Sequence, residues 1–199
     1  RVRAVNSGGN GNWSLIRYFT TALSIPLAPV LVSPADGATH QEFNLDFNWM
    51  PSSSASTYRI QISNNAIFTS MVVNDSTLTS NTYSANQLAE GKKLYWRVNA
   101  KNSSGTGEYS TSRNFTTKLT QPDSLSGMLN LNSQVELNWI DRSSLETKYF
   151  IIRKISGGIF ALIDSLGANQ NSYTDTSVLS GNTYHYAIFC KNNIASSDT

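Results

Sequence analysis

The sequence predicts an all-β chain of tandem antiparallel sandwiches, on three observations. The first is an internal repeat. Slid by 96 positions, Arg1–Thr21 meets Arg97–Thr117 with 12 of 21 residues identical and no gap, and a fainter copy, Tyr184–Asn193, lies 90 residues after Leu94–Ser103. The second is strict alternation of large apolar and polar side chains over short runs, the period of a half-buried strand. The third is that no stretch carries helical periodicity beyond a single turn.

A chain of 199 residues has room for about two domains, and a period near 90 suits a module with its own core better than a solenoid unit. With 15 basic and 13 acidic side chains scattered along it, the chain has no electrostatic footprint for nucleic acid or acidic lipid. No apolar run is long enough to span a bilayer, and the N-terminus has no signal-peptide pattern. Because the chain opens inside a strand pattern and stops in a polar turn, it is expected to be a segment of a larger protein. One cysteine leaves no intrachain disulfide, so packing must supply the stability.

Taken in order, Arg1–Val5 alternates, Asn6–Gly11 is a turn of residues that tolerate positive φ, and Trp13–Thr21 reads as a returning strand. Residues 1–21 are therefore expected to be the last two strands of a truncated unit, with residues 22–28 a linker stiffened by proline. Residues 29–117 form a complete unit. Leu45, Phe47 and Trp49 share one side, as do Tyr58, Ile60 and Ile62, then Leu94, Trp96, Val98 and Ala100. Shorter strands are expected at Phe68–Val73 and Thr82–Ala85. About seven strands punctuated by turns favour two packed sheets. Residues 118–199 repeat the logic with Val135, Leu137 and Trp139, then Tyr149, Ile151 and Arg153, then Phe160–Asp164, Tyr173, Val178 and Tyr184–Cys190, and end before a final strand.

These residues resemble a known family. Trp49 with Tyr58–Ser63, Tyr83, Leu94–Ala100 and Tyr109–Phe115, followed by Asn138–Tyr149 and Ser172–Val178, are similar to the fibronectin type III repeat in the form common in secreted bacterial multidomain proteins. The resemblance implies immunoglobulin-like β-sandwiches in tandem and an extracellular or cell-surface location. It also implies a tyrosine whose hydroxyl ties off a corner between the sheets. Tyr184 stands at that place in the last unit. The middle unit has Leu94 there, so its corner is expected to rest on packing alone. The arginine-glycine-aspartate tripeptide of some animal members is absent.

The candidates for chemistry are few. Trp49 and Trp139 sit in inward columns and should each bury roughly 200 Å², worth up to ~5 kcal/mol. Cys190 falls where Ala100 falls and should be a small buried side chain. His40 and His185 are the only histidines, lie in different units, and have no cluster at metal-ligand spacing. The carboxylates Asp46, Asp75, Asp141, Glu146, Asp164 and Asp175 form no pair placed for glycoside cleavage. Arg1, Arg3, Arg59 and Arg97 are outward positions on strands expected to share a sheet, and Trp13 and Tyr109 occupy matching places after the glycine turn. Trp13, Tyr109, Arg59 and Arg97 are therefore the candidate ligand-facing residues, for a polysaccharide or protein partner.

The expectation is a non-catalytic spacer and adhesion scaffold in a secreted or surface-anchored bacterial protein, with no cofactor and no metal. The alternative is a carbohydrate-binding accessory module of a polysaccharide-degrading enzyme. A monomer is expected, with one exception: a strand from Trp13–Thr21 of one molecule could complete the last unit of another.

Overall fold

The computed structural model describes residues 1–199. It is built from strands alone, and no helix is long and apolar enough to cross a membrane.

At the N-terminus β1 (Val5–Asn6) pairs with β2 (Gly9–Asn10), and two further bonds, Gly11 N–H to Ala4 C=O and Ser14 N–H to Val2 C=O, extend the hairpin. The return strand expected over Trp13–Thr21 does not form. Every residue from Arg1 to Thr21 is exposed, and a lone two-stranded hairpin is marginal in water.

The middle sandwich contains β3 (Leu31–Ser33), β4 (Ala38–Gln41), β5 (Leu45–Trp49), β6 (Thr57–Ser63), β7 (Met71–Leu78), β8 (Thr82–Ala85), β9 (Lys93–Asn102), β10 (Gly105–Thr106) and β11 (Arg113–Thr117). One sheet has the order β3-β5-β8, and the other β4-β11-β9-β6-β7, with β10 paired to the end of β9. The inward columns meet between them: Phe47, Ile60, Ile62, Trp96, Val98 and Phe115 are sealed from solvent. Phe47 lies edge-on to Trp96 at 5.0 Å and to Phe115 at 5.5 Å, and Trp49 edge-on to Tyr58 at 5.6 Å. These offset arrangements suit the ring quadrupoles. The strand expected over Phe68–Val73 instead begins at Met71, and Phe68 is buried in the preceding loop.

The C-terminal sandwich contains β12 (Asp123–Leu129), β13 (Val135–Ile140), β14 (Lys148–Ile155), β15 (Ala161–Gly167), β16 (Ser172–Asp175) and β17 (Tyr184–Lys191). Its sheets have the orders β12-β13-β16 and β15-β14-β17. Trp139 packs on Tyr149 at 5.6 Å, repeating the Trp49–Tyr58 pair, and Cys190 is fully buried where Ala100 lies in the middle sandwich. Arg153, placed by alternation in an inward column, closes the end of the sandwich. Its guanidinium bonds the buried Asp175 carboxylate at 2.5 Å, which also accepts from the Tyr186 hydroxyl at 2.9 Å.

The two corners are tied differently. In the C-terminal sandwich the Leu179 amide donates to the Tyr184 hydroxyl at 2.9 Å. In the middle one, where Leu94 replaces that tyrosine, packing is not the only tie. The Thr117 hydroxyl donates to the Ala89 carbonyl at 2.7 Å and accepts from the Lys92 amide at 3.0 Å.

Candidate functional site

Of the sequence candidates, Arg59 and Arg97 lie on the outward face of β6 and β9. Antiparallel pairing sets Gln61 opposite Arg97 and Arg59 opposite Asn99. Arg97 Nε donates to Gln61 Oε1 at 2.8 Å, and Gln61 Nε2 donates to Asn74 Oδ1 at 3.3 Å. The Arg97 guanidinium is held 3.9 Å from the centroid of Tyr109 and 4.0 Å from that of Phe68. Arg97 is therefore committed to cation–π contacts within its own face. Arg59 is exposed beside a polar groove of about 500 Å³ that it lines with Lys101, Asn99, Ser76 and Thr106.

Arg1 and Arg3 do not share that sheet, because β1 pairs only with β2. Both lie over the ring of Trp13, at 4.9 and 4.7 Å. The contact explains part of the repeat: Arg1 and Trp13 hold the positions of Arg97 and Tyr109, and the same cation–π pair is made twice. The structure thus joins Arg97 to Tyr109, sets Arg59 two positions along the neighbouring strand, and leaves Trp13 on a separate hairpin. The rings of Trp13 and Tyr109 form no common platform.

Cys190 is enclosed, and burial pushes its thiol up to about 11, which leaves almost no thiolate near neutrality. His185 is exposed on its strand.

The densest set of specific polar contacts lies between the sandwiches. At the corner after β8, Glu90 projects onto the C-terminal sandwich. Its carboxylate accepts from the Thr120 amide at 2.6 Å, the Ser143 hydroxyl at 3.2 Å and the Ser144 amide at 3.3 Å. Burial works to raise its pKa, and these bonds outweigh it, so Glu90 titrates below the ordinary glutamate value. Beside it lies Gly91, at φ 57°, where a Cβ would sit 2.8 Å from Leu119 Cδ2 and push that side chain aside. Leu119 belongs to the connection between the sandwiches, yet it is fully buried in the C-terminal core. On the other side of the junction Asp198 bonds Lys118, and His40 Nε2 at 2.5 Å, while Lys118 also reaches Glu42 at 2.8 Å. The hydrogen bonds from Lys118 and His40 hold Asp198 below its ordinary value. Desolvation works to lower the Lys118 pKa, and its two carboxylate partners outweigh it and raise it.

A matching device holds residues 22–28. Asn102 Nδ2 donates to the Ser24 carbonyl at 2.7 Å and the Ser54 carbonyl at 3.1 Å, while its Oδ1 accepts from the Ser104 and Gly105 amides. Gly107 is required here, since a Cβ would fall 2.2 Å from the Pro26 carbonyl oxygen. Ninety residues on, Asn192 repeats the pattern, with Nδ2 donating to the Leu145 carbonyl and Oδ1 accepting from Ile194 and Ala195. The recurrence of asparagine at 6, 102 and 192 was the signal for this pivot. Glu90 left none, because its partners lie 30 to 54 residues away in another module.

No family model matches the chain, and no curated protein does. Among solved structures, a two-domain fibronectin type III segment from chicken tenascin aligns over 88% of this chain and 95% of its own, with TM-score 0.59 and 13% identity. Chicken CNTN1 FN1-FN3 domains align over 86% of this chain and 64% of theirs, with TM-score 0.37 and 17% identity. The chain has the fold of tandem fibronectin type III domains.

Proposed function

We propose that this chain is a non-catalytic scaffold of a secreted or surface-anchored bacterial protein, in which residues 29–117 and 118–199 are modules held at a fixed angle. The observation that carries the reading is the junction. Three donors converge on Glu90, Leu119 is shared between linker and core, and Asp198 is clasped by Lys118 and His40. A connection that only tethered two modules would leave these groups to water; relative motion is the default between adjacent domains, and three hydrogen bonds to one carboxylate together with a buried leucine oppose it here. Holding the junction this way spaces whatever lies on either side of the pair. An adhesive role rests on the outward face around Arg59 and Lys101, which suits a protein partner. The carbohydrate reading draws no support from Trp13 and Tyr109, whose rings carry guanidinium groups and stand on separate elements.

Nitrogen-15 relaxation tests the reading. The two sandwiches should tumble as one elongated body, and Glu90→Ala should split them into two faster correlation times. Independent tumbling of the unaltered chain would defeat it. A glycan array tests the alternative, and specific retention lost in Arg59→Ala would revive that reading.

A further inference from the structure

We propose that the outward face of β14 and β17 is a docking surface for an acidic protein segment with an apolar centre. The two strands are paired along their whole length, so their outward side chains stand opposite one another in a fixed order. Phe150 faces Phe189 and Ile152 faces Ala187 in the middle of that face, all partly exposed. Lys148 faces Lys191 at one end, and Lys154 faces His185 at the other. The result is an apolar stripe about 20 Å long with a basic group at each corner. It is separate from the groove beside Arg59, which lies on the middle sandwich.

Folding alone does not account for this arrangement. The matching positions of the middle sandwich, on β6 and β9, are polar: Arg59 faces Asn99 where the phenylalanines stand, and Gln61 faces Arg97 in place of Ile152 and Ala187. Those groups satisfy one another, Arg97 through Gln61 and Gln61 through Asn74. Phe150 and Phe189 add nothing to the core, which lies on the opposite face of their strands with Tyr149, Ile151, Ile188 and Cys190. Like charges directly across a strand pair are destabilising, yet Lys148 and Lys191 stand so. None of Lys148, Lys154 and Lys191 has a salt-bridge partner.

Charge selects the occupant. None of the outward positions on the two strands is acidic, and Asp164, the carboxylate of the neighbouring β15, stands opposite the core residue Ile151. A segment bearing carboxylates would neutralise the lysine pair and remove its repulsion, while its own apolar side chain would cover the rings. A second copy of this chain would set lysine against lysine. A sugar needs an open ring face to stack on, whereas Phe150 and Phe189 each give a face to the other, 10° from parallel with centroids 5.1 Å apart. The Lys191 ammonium stands 5.7 and 5.6 Å from the two rings, which ties the basic rim to the aromatic centre.

The test is a nitrogen-15 titration of the full chain with three synthetic peptides. The first places glutamates around leucine and phenylalanine, the second has serine for the apolar residues, and the third has lysine for glutamate. The first should move the amides of Phe150, Ile152, Ala187 and Phe189 saturably, with the serine peptide at least tenfold weaker and the lysine peptide silent. Phe150→Ser combined with Phe189→Ser should lose at least tenfold in affinity and keep its amide dispersion, since neither ring belongs to the core cluster. Lys148→Glu should raise the unfolding temperature by pairing with Lys191, and should weaken the acidic peptide at least threefold. A purely structural role would not move stability and affinity in opposite directions. The proposal is overturned if the acidic peptide leaves these amides unmoved, whether or not polygalacturonate moves them. It is also overturned if that peptide binds Lys148→Glu equally well, or if light scattering shows a dimer that Phe150→Ser dissolves.

Discussion

The middle and C-terminal sandwiches are built on one pattern and differ in what they bury at matching positions. The middle one buries 13 apolar residues in its core, and the C-terminal one 7. In the middle sandwich Phe115 brings β11 against β9, opposite Leu94, and packs edge-on to Phe47. In the C-terminal sandwich Tyr184 and Tyr186 are half-buried at the positions of Leu94 and Trp96, and polar ties gather around Asp175 from Arg153, Tyr186 and Ser177. At the position of Asp175 the middle sandwich has Ala85, also buried. One fold thus reaches stability by an apolar route in one module and by a buried charge in the next, and the two should fail under different stresses.

The sharpest break of this comparison uses the shared Arg-x-Phe-Thr-Thr motif. Phe115→Ala should destabilise the middle sandwich by about 3–5 kcal/mol, measured by residue-resolved denaturant unfolding, whereas Phe19→Ala should leave both sandwiches within about 0.5 kcal/mol. Equal effects would mean that the motif does not owe its weight to burial.

Next comes the buried charge. Removing the carboxylate in Asp175→Ala should cost the C-terminal sandwich about 3 kcal/mol, because Arg153 loses its partner. Acid should act the same way. Burial would raise the Asp175 pKa, but bonds from Ser177, Tyr186 and Arg153 outweigh it and leave it depressed. A depressed folded pKa means that the stabilisation is complete above the ordinary aspartate value near 3.9 and is lost as pH falls through the folded value. Amide exchange in an acid titration should therefore show the C-terminal sandwich opening before the middle one.

Smaller effects compare corners. Gly91 and Gly181 both have positive φ, 57° and 81°, but a Cβ at Gly91 meets Leu119 while one at Gly181 meets nothing. Gly181→Ala should cost about 1 kcal/mol from backbone conformation alone. Gly91→Ala should cost about 1 kcal/mol more, through displaced packing, and loosen the junction. Tyr184→Phe, which removes only the bond from Leu179, should cost about 1 kcal/mol in thermal unfolding.

The columns Leu45-Phe47-Trp49, Tyr58-Ile60-Ile62 and Leu94-Trp96-Val98-Ala100 could be read from sequence because burial on one face of a strand imposes a period of two. The pairing of Trp13 with Tyr109 was legible as a repeat, and its cause, an arginine over each ring, required coordinates. Trp13–Thr21 was misread because alternation reports the capacity to form a strand, and a strand also needs a neighbour. The junction was nearly invisible. Glu90, His40 and Glu42 belong to the middle module and their partners Thr120, Ser143, Asp198 and Lys118 to the next, and no local pattern marks polar groups that meet only when two folded bodies abut. The Leu94 substitution pointed to a change at the corner, though not to Thr117 as its replacement.

The central claim is that the two sandwiches are fixed to each other through Glu90, Leu119 and Asp198. Spin labels on exposed positions Arg59 and His185, with Cys190 replaced by alanine, allow pulsed electron resonance to read their distance distribution directly. A single narrow distance at neutral pH, broadening in Glu90→Ala, is the expected result. A distribution already broad in the parent chain, and unchanged by Glu90→Ala, would contradict the account.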